Sequence, residues 1–155
     1  MRAMRTTSVG TQFPVAVALR RLEAALSALD QAEQLLERAQ EMRGTDPRAS
    51  FELVHRAALK GAGVVIEQAN RERKRPLPLN AWTALARLGG VHREWAVSAE
   101  PMVAERARLD AGEGVQVRMD LLDAHCAATA QRLAAVRAEI TLALLPGAGA
   151  VTAAR

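Results

Sequence analysis

The end of the chain constrains its fold most. Val115, Met119, Leu122, Cys126, Thr129, Leu133, Val136 and Ile140 follow one another at alternating intervals of four and three residues. A strand scatters such positions over both faces, whereas an α-helix gathers them into one seam. Leu121, Ala128 and Ala135 widen the seam into a core-facing surface. The spacing predicts one long helix from about residue 115 to 145, ended by Pro146-Gly147. An apolar helical face of that length has to be covered by other elements, and the upstream patterning says that these are helices too.

Val15, Leu19, Leu22, Leu26, Leu29 and Leu36 recur at helical spacing behind Pro14 and run to a glycine stop at Gly44. Thr45 or Asp46 can cap a second helix with Pro47 in its first turn, and Phe51, Val54, Ala58, Ala62, Val65 and Ile66 form its stripe. Gly61 and Gly63 lie inside that pattern, where glycine costs helix stability. They imply close approach by a neighbouring helix, or a kink. Asn80 caps a short third helix through Trp82, Leu85 and Leu88, stopped by Gly89-Gly90. A fourth runs from Val91 through Trp95 to Leu109, with Pro101 expected to bend or divide it. With no Tyr and 3% aromatics, the core is aliphatic, and both tryptophans are expected to anchor it.

The expectation is an all-α, antiparallel bundle of four or five helices. It forms one domain over residues 14–145, between a flexible N-terminal arm, 1–13, and a flexible C-terminal tail, 146–155. A chain of 155 residues buries about two-thirds of its unfolded surface, so the fold needs no disulfide or metal staple. No apolar run approaches the ~18 residues of a membrane span. The lone Cys126 suits a reducing, cytoplasmic setting. A net charge of +4 points weakly toward polyanions.

Four residues flank the seam at seven-residue intervals: Arg118, His125, Arg132 and Glu139. On one helix, Arg118 and His125 would leave the same face about 10 Å apart along the axis. RNA carries its own nucleophile, the ribose 2′-hydroxyl. A histidine can move its proton near neutral pH, and an arginine fork can hold the phosphate as charge develops. That chemistry needs no metal or other cofactor. Arg132, together with Arg71, Arg73, Lys74 and Arg75 in the proline-bearing connection, is the candidate contact to a nucleic-acid backbone. As ordinary structure, the basic run is a solvated helix end. Glu52-Leu53-Val54-His55 has the spacing of half a di-iron or di-manganese site, but no second Glu-x-x-His exists. No metal site is expected, and His55 reads as a surface or interface histidine.

The run Arg118-Met119-Asp120-Leu121-Leu122-Asp123-Ala124-His125, set in a long helix of such an array, resembles the HEPN superfamily motif of arginine, four to six residues, then histidine. The alanine-rich second helix and His92-Arg93-Glu94-Trp95-Ala96 are similar to an actinobacterial HEPN subfamily. The resemblance covers about residues 14–145. It implies an all-α bundle, a homodimer and, in active members, metal-independent cleavage of RNA at a composite dimer site, with Arg118 and His125 as the catalytic pair. The chain departs from many active members in placing Met119 where they carry a polar residue after the arginine. Two other functions remain open: a catalytically silent module for dimerisation or for binding a partner protein, and a nucleotide or nucleic-acid binder that does not cut.

Overall fold

The computed structural model describes residues 9–145, and side chains from residue 15 onward. Five helices follow in order: α1 (Val9–Met42), α2 (Pro47–Asn70), α3 (Ala81–Leu88), α4 (Gly90–Asp110) and α5 (Met119–Leu144). No strand occurs among the described residues. The fold is the all-α bundle that the patterning predicts.

Contacts along the helices fix their directions. Ser50 Oγ donates to the Ala39 carbonyl at 2.6 Å, across the short α1–α2 connection, so α2 returns along α1. Arg43 near the end of α1 holds Asp123 near the start of α5, whereas Arg137 near the end of α5 holds Asp30 and Glu33 in the middle of α1. Thus α5 is also antiparallel to α1, and α2 and α5 run side by side in the same direction. α4 runs against both: Arg106 meets Glu52 of α2, and His92 meets Glu139 of α5. Leu29, Phe51, Val54, Leu85, Leu122, Leu133 and Ile140 lie at the centre, each essentially inaccessible.

Local chemistry explains the boundaries. Asp46 accepts from Ala49 N, and Pro47 fits the first turn. Asn80 accepts from Thr83 N to open α3. Gly89 and Gly90 take positive φ between α3 and α4, a conformation that favours glycine. Three expectations are corrected. α1 starts at Val9, so Pro14 lies inside the helix rather than at its entry. Residues 1–8 and the expected tail, 146–155, lie outside the described residues. Pro101 does not divide α4, which is continuous. Pro101 sits on the exposed face, where the carbonyl it cannot serve is open to water. Finally, α5 begins at Met119 rather than near Val115.

The two α2 glycines separate cleanly. A Cβ on Gly61 would lie 2.5 Å from Leu133 Cδ2 and 3.5 Å from Trp95, so α2 touches α5 and α4 through a bare backbone. Nothing lies within 4 Å of the equivalent point on Gly63, and nothing in the structure explains that glycine. Gly63→Ala should therefore stabilise the protein by about 1 kcal/mol through helix propensity. Gly61→Ala gains the same propensity but must displace a side chain that is 1% exposed. Overpacking costs about 1–3 kcal/mol, so a net loss of roughly 1 kcal/mol is expected. Urea denaturation of the two variants checks the opposite signs.

Candidate functional site

The residues preceding α5 show why Arg118 and His125 do not share a helix face. The connection after α4 is tied down by two arginines and a carboxylate. Arg48 of α2 donates to the carbonyls of Leu109, Gly112 and Val115 at 2.6, 2.7 and 2.9 Å, with Glu113 farther off at 3.4 Å. Glu105 of α4, 2% exposed, binds the Arg108 guanidinium and accepts from the Arg118 backbone N at 2.9 Å. Arg108 in turn donates to the Gln116 carbonyl at 2.6 Å. Its hydrogen bonds to Arg108 hold the Glu105 carboxyl below the usual range despite burial, helped by the Arg118 N–H. Satisfied by these partners, the backbone stays extended through Arg118, which has φ −74° and ψ 106° and is the N-cap of α5. Its side chain is exposed.

His125 lies instead in the core-facing row with Leu122, Thr129, Leu133, Val136 and Ile140, and is 3% exposed. Its Nε2 stands 3.2 Å from Nδ1 of His55 on α2, which is 2% exposed. Phe51 packs on His125 with ring centroids 5.3 Å apart, and Trp82 of α3 covers His55 at 5.9 Å. Trp95, buried, meets Trp82 edge-on. Burial, and secondarily the facing His55, pulls the His125 pKa down to about 4. Burial also lowers that of His55, reinforced by Arg106 and opposed by Glu52. Both rings are neutral at pH 7. One supplies an N–H and the other accepts it; either assignment satisfies the contact.

The remaining candidates are dispersed. Arg132 is half-buried, and its Nη1 donates to the Val91 carbonyl at 3.3 Å. Glu139 accepts from the Nε2–H tautomer of His92 at 3.1 Å. Arg71 ends α2 and pairs with Glu67 at 3.0 Å, while Arg73, Lys74 and Arg75 are exposed in the connection to α3. The Glu52-x-x-His55 pattern splits: Glu52 is held bidentately by Arg106 at 2.9 Å, whereas His55 faces His125. Among the described residues no group of three or more His, Cys, Asp or Glu side chains could hold a metal ion, and no helix is long and apolar enough to cross a membrane.

His55 corrects the expectation of a surface histidine. Its position four residues after Phe51 and three before Ala58 puts it on the apolar stripe of α2, a signal outweighed by the polarity of histidine. A cleft of about 310 Å³ between α2, α3 and α4 has His55, Asn80, Trp82, Arg106 and Asp110 among its walls. His55 thus borders this cleft, whereas His125 is not among its walls.

An all-α bundle whose last long helix is introduced by arginine and buries a histidine at the seventh position is a HEPN-type architecture. The family model for SAV_6107-like HEPN matches residues 39–137, and the chain belongs to that family. The match runs from the last turn of α1 into α5 and contains both Arg118 and His125. No curated protein and no solved structure matches.

Proposed function

We propose that this chain is a helical HEPN module that works in the cytoplasm by binding, as a homodimer, and does not cleave RNA in the conformation described. The observation carrying this reading is the enclosure of His125. A general base has to come within about 3 Å of the proton it removes. His125 is 3% exposed, and its Nε2 is engaged by His55. A pKa near 4 also keeps it out of the imidazolium form that a general acid uses at neutral pH. The surface offers a binding face elsewhere. Between α1 and α5 runs an open groove of about 490 Å³ lined by Ala134, Ala138, Leu142 and Leu145, with Arg137 along its edge. Leu142 and Leu145 are 56% and 45% exposed. A second copy of the chain would cover such apolar surface.

Membership of the HEPN family favours a second reading, metal-independent endoribonuclease action. In it Arg118 grips the phosphate, His125 moves the proton, and Arg132, Arg71, Arg73, Lys74 and Arg75 hold the flanking backbone. A nucleic-acid binder without cleavage would use the same basic residues and spare the histidine. One set of measurements separates them: incubation of purified protein with RNA at pH 7.5 in chelator, beside His125→Ala, with the mass of both proteins read by light scattering. The expected result is intact RNA and a dimer. Cleavage that disappears in His125→Ala would establish the endoribonuclease instead, and a monomer would remove the dimer.

A further inference from the structure

We propose that His55 and His125 form an acid-released latch between α2 and α5, so that uptake of protons by the pair opens this seam and brings the motif histidine to solvent. The proposal deepens the preceding reading and rests on it, since it takes the enclosed arrangement as the resting, silent state.

Hydrogen-bond capacity limits how many protons the pair can hold. Two neutral imidazoles facing each other at 3.2 Å make one N–H···N bond. A single added proton can still be shared, because one nitrogen remains an acceptor. A second proton makes both nitrogens donors and sets two positive charges against each other. The walls cannot relieve this. Phe51 lies over His125 and Trp82 over His55, and neither ring hydrogen-bonds to a carboxylate.

The charged groups around the pair act in opposite senses, with Arg106 outweighing Glu52. On α2, Glu52 favours a charge on His55, but its carboxylate is bound to Arg106. From α4, Arg106 opposes that charge, and Asp110 lines the adjoining cleft. α3 contributes Asn80, Ala81 and Trp82 to this cleft, none of them charged. On α5 the other group is His125 itself, and nearby Asp123 is paired with Arg43 of α1. The cleft beside His55 gives protons a route to the pair. The first turns of α5 are tied to α1 by that exposed Arg43–Asp123 pair, at 2.6 Å. Exposed pairs of this kind contribute little to stability.

Linkage sets the size. A histidine titrating at about 4 when enclosed and near 6.5 when open favours the open form roughly thirtyfold more at pH 5 than above pH 7.

The test is amide hydrogen exchange on the full chain at pH 7.5 and 5.0, corrected for intrinsic exchange. Protection in residues 51–58 and 122–129 should fall by about thirtyfold, and in residues 25–35 of α1 by less than threefold. In the double variant His55→Gln/His125→Gln the change should vanish. Independently of any variant, NMR titration of the wild-type imidazoles should show both midpoints below 6.5, with that of His125 near 4. Protection that does not change with pH, a double variant that keeps the change, or histidines that titrate near 6.5 would each overturn the latch and leave the silent reading intact. RNA cleavage at pH 7.5 would overturn the silent reading, whatever the exchange shows.

Discussion

Arg48→Ala is expected to destabilise the protein by about 3 kcal/mol, a large effect for a half-buried surface arginine. The Arg48 guanidinium reaches three carbonyls of the α4–α5 connection within 2.9 Å and a fourth at 3.4 Å. A hydrogen bond to a charged group contributes about 1.5–3 kcal/mol. The contributions here do not sum, because the connection is partly exposed and water can reach some of the released carbonyls. Arg48→Lys keeps the charge but offers no planar fork, so it should recover less than half of the loss. Urea denaturation gives the size, and hydrogen exchange in residues 111–118 gives the location. A loss below about 1 kcal/mol would mean that Glu105 and Arg108 hold the connection without Arg48. A loosened connection also frees Arg118 from its place at the head of α5, so any function of that guanidinium should suffer in the same variant.

Arg48 also marks the limit of what the sequence makes legible. Helices announce themselves through spacing and caps, both local properties. Asp46-Pro47, Asn80 and Gly89-Gly90 sit where their chemistry is needed, and the stripes face inward from Leu22 onward, whereas Val15 and Leu19 at the start of the α1 pattern are exposed. The start of α5 depends on distant partners. Val115 continues the seam by spacing, yet Arg48 from α2 and Glu105 from α4 hold residues 115–118 outside the helix. Neither residue stands out in a chain with many arginines and glutamates. Losing one turn at the head of α5 is enough to remove the supposed common face of Arg118 and His125.

The histidine pair was hidden for another reason. His125 falls three residues after Leu122 and four before Thr129, so it fits the apolar seam as well as its flank. Placing it on the flank assumes that a polar ring seeks water. Burial becomes tolerable only because His55, seventy residues earlier, supplies the complementary nitrogen. Two such rings satisfy each other without any charge, and no spacing within either helix reveals the partner. Gly61 was partly legible: glycine in a helix stripe suggests close approach, but only the fold separates it from Gly63.

The same pair gives the second large effect, a loss of roughly 3 kcal/mol of stability as the pH falls from about 6.5 to about 4. The sign follows from proton counts. The enclosed His125 has its pKa lowered to about 4, so between that value and the unfolded reference near 6.5 the unfolded chain binds more protons than the native one. Stability therefore rises with pH across this window, is complete above it, and is lost as the pH falls through it. His55, also lowered, contributes in the same direction. The carboxylates act elsewhere on the scale. Glu52, Glu105 and Asp123 are held below their usual range by Arg106, Arg108 and Arg43 respectively. Their contributions persist above the unfolded carboxylate range and fade at still lower pH. Urea midpoints at pH 7.5, 6.5, 5.5 and 4.5 separate the two groups. The wild type should lose most of the effect before the carboxylates titrate. His125→Gln should begin less stable at pH 7.5 but show a shallower slope, because only His55 remains to be charged. An equal slope in both proteins would place the sensitivity outside the pair, and a flat wild-type profile down to pH 4.5 would mean that the buried imidazoles find a proton-tolerant arrangement without opening.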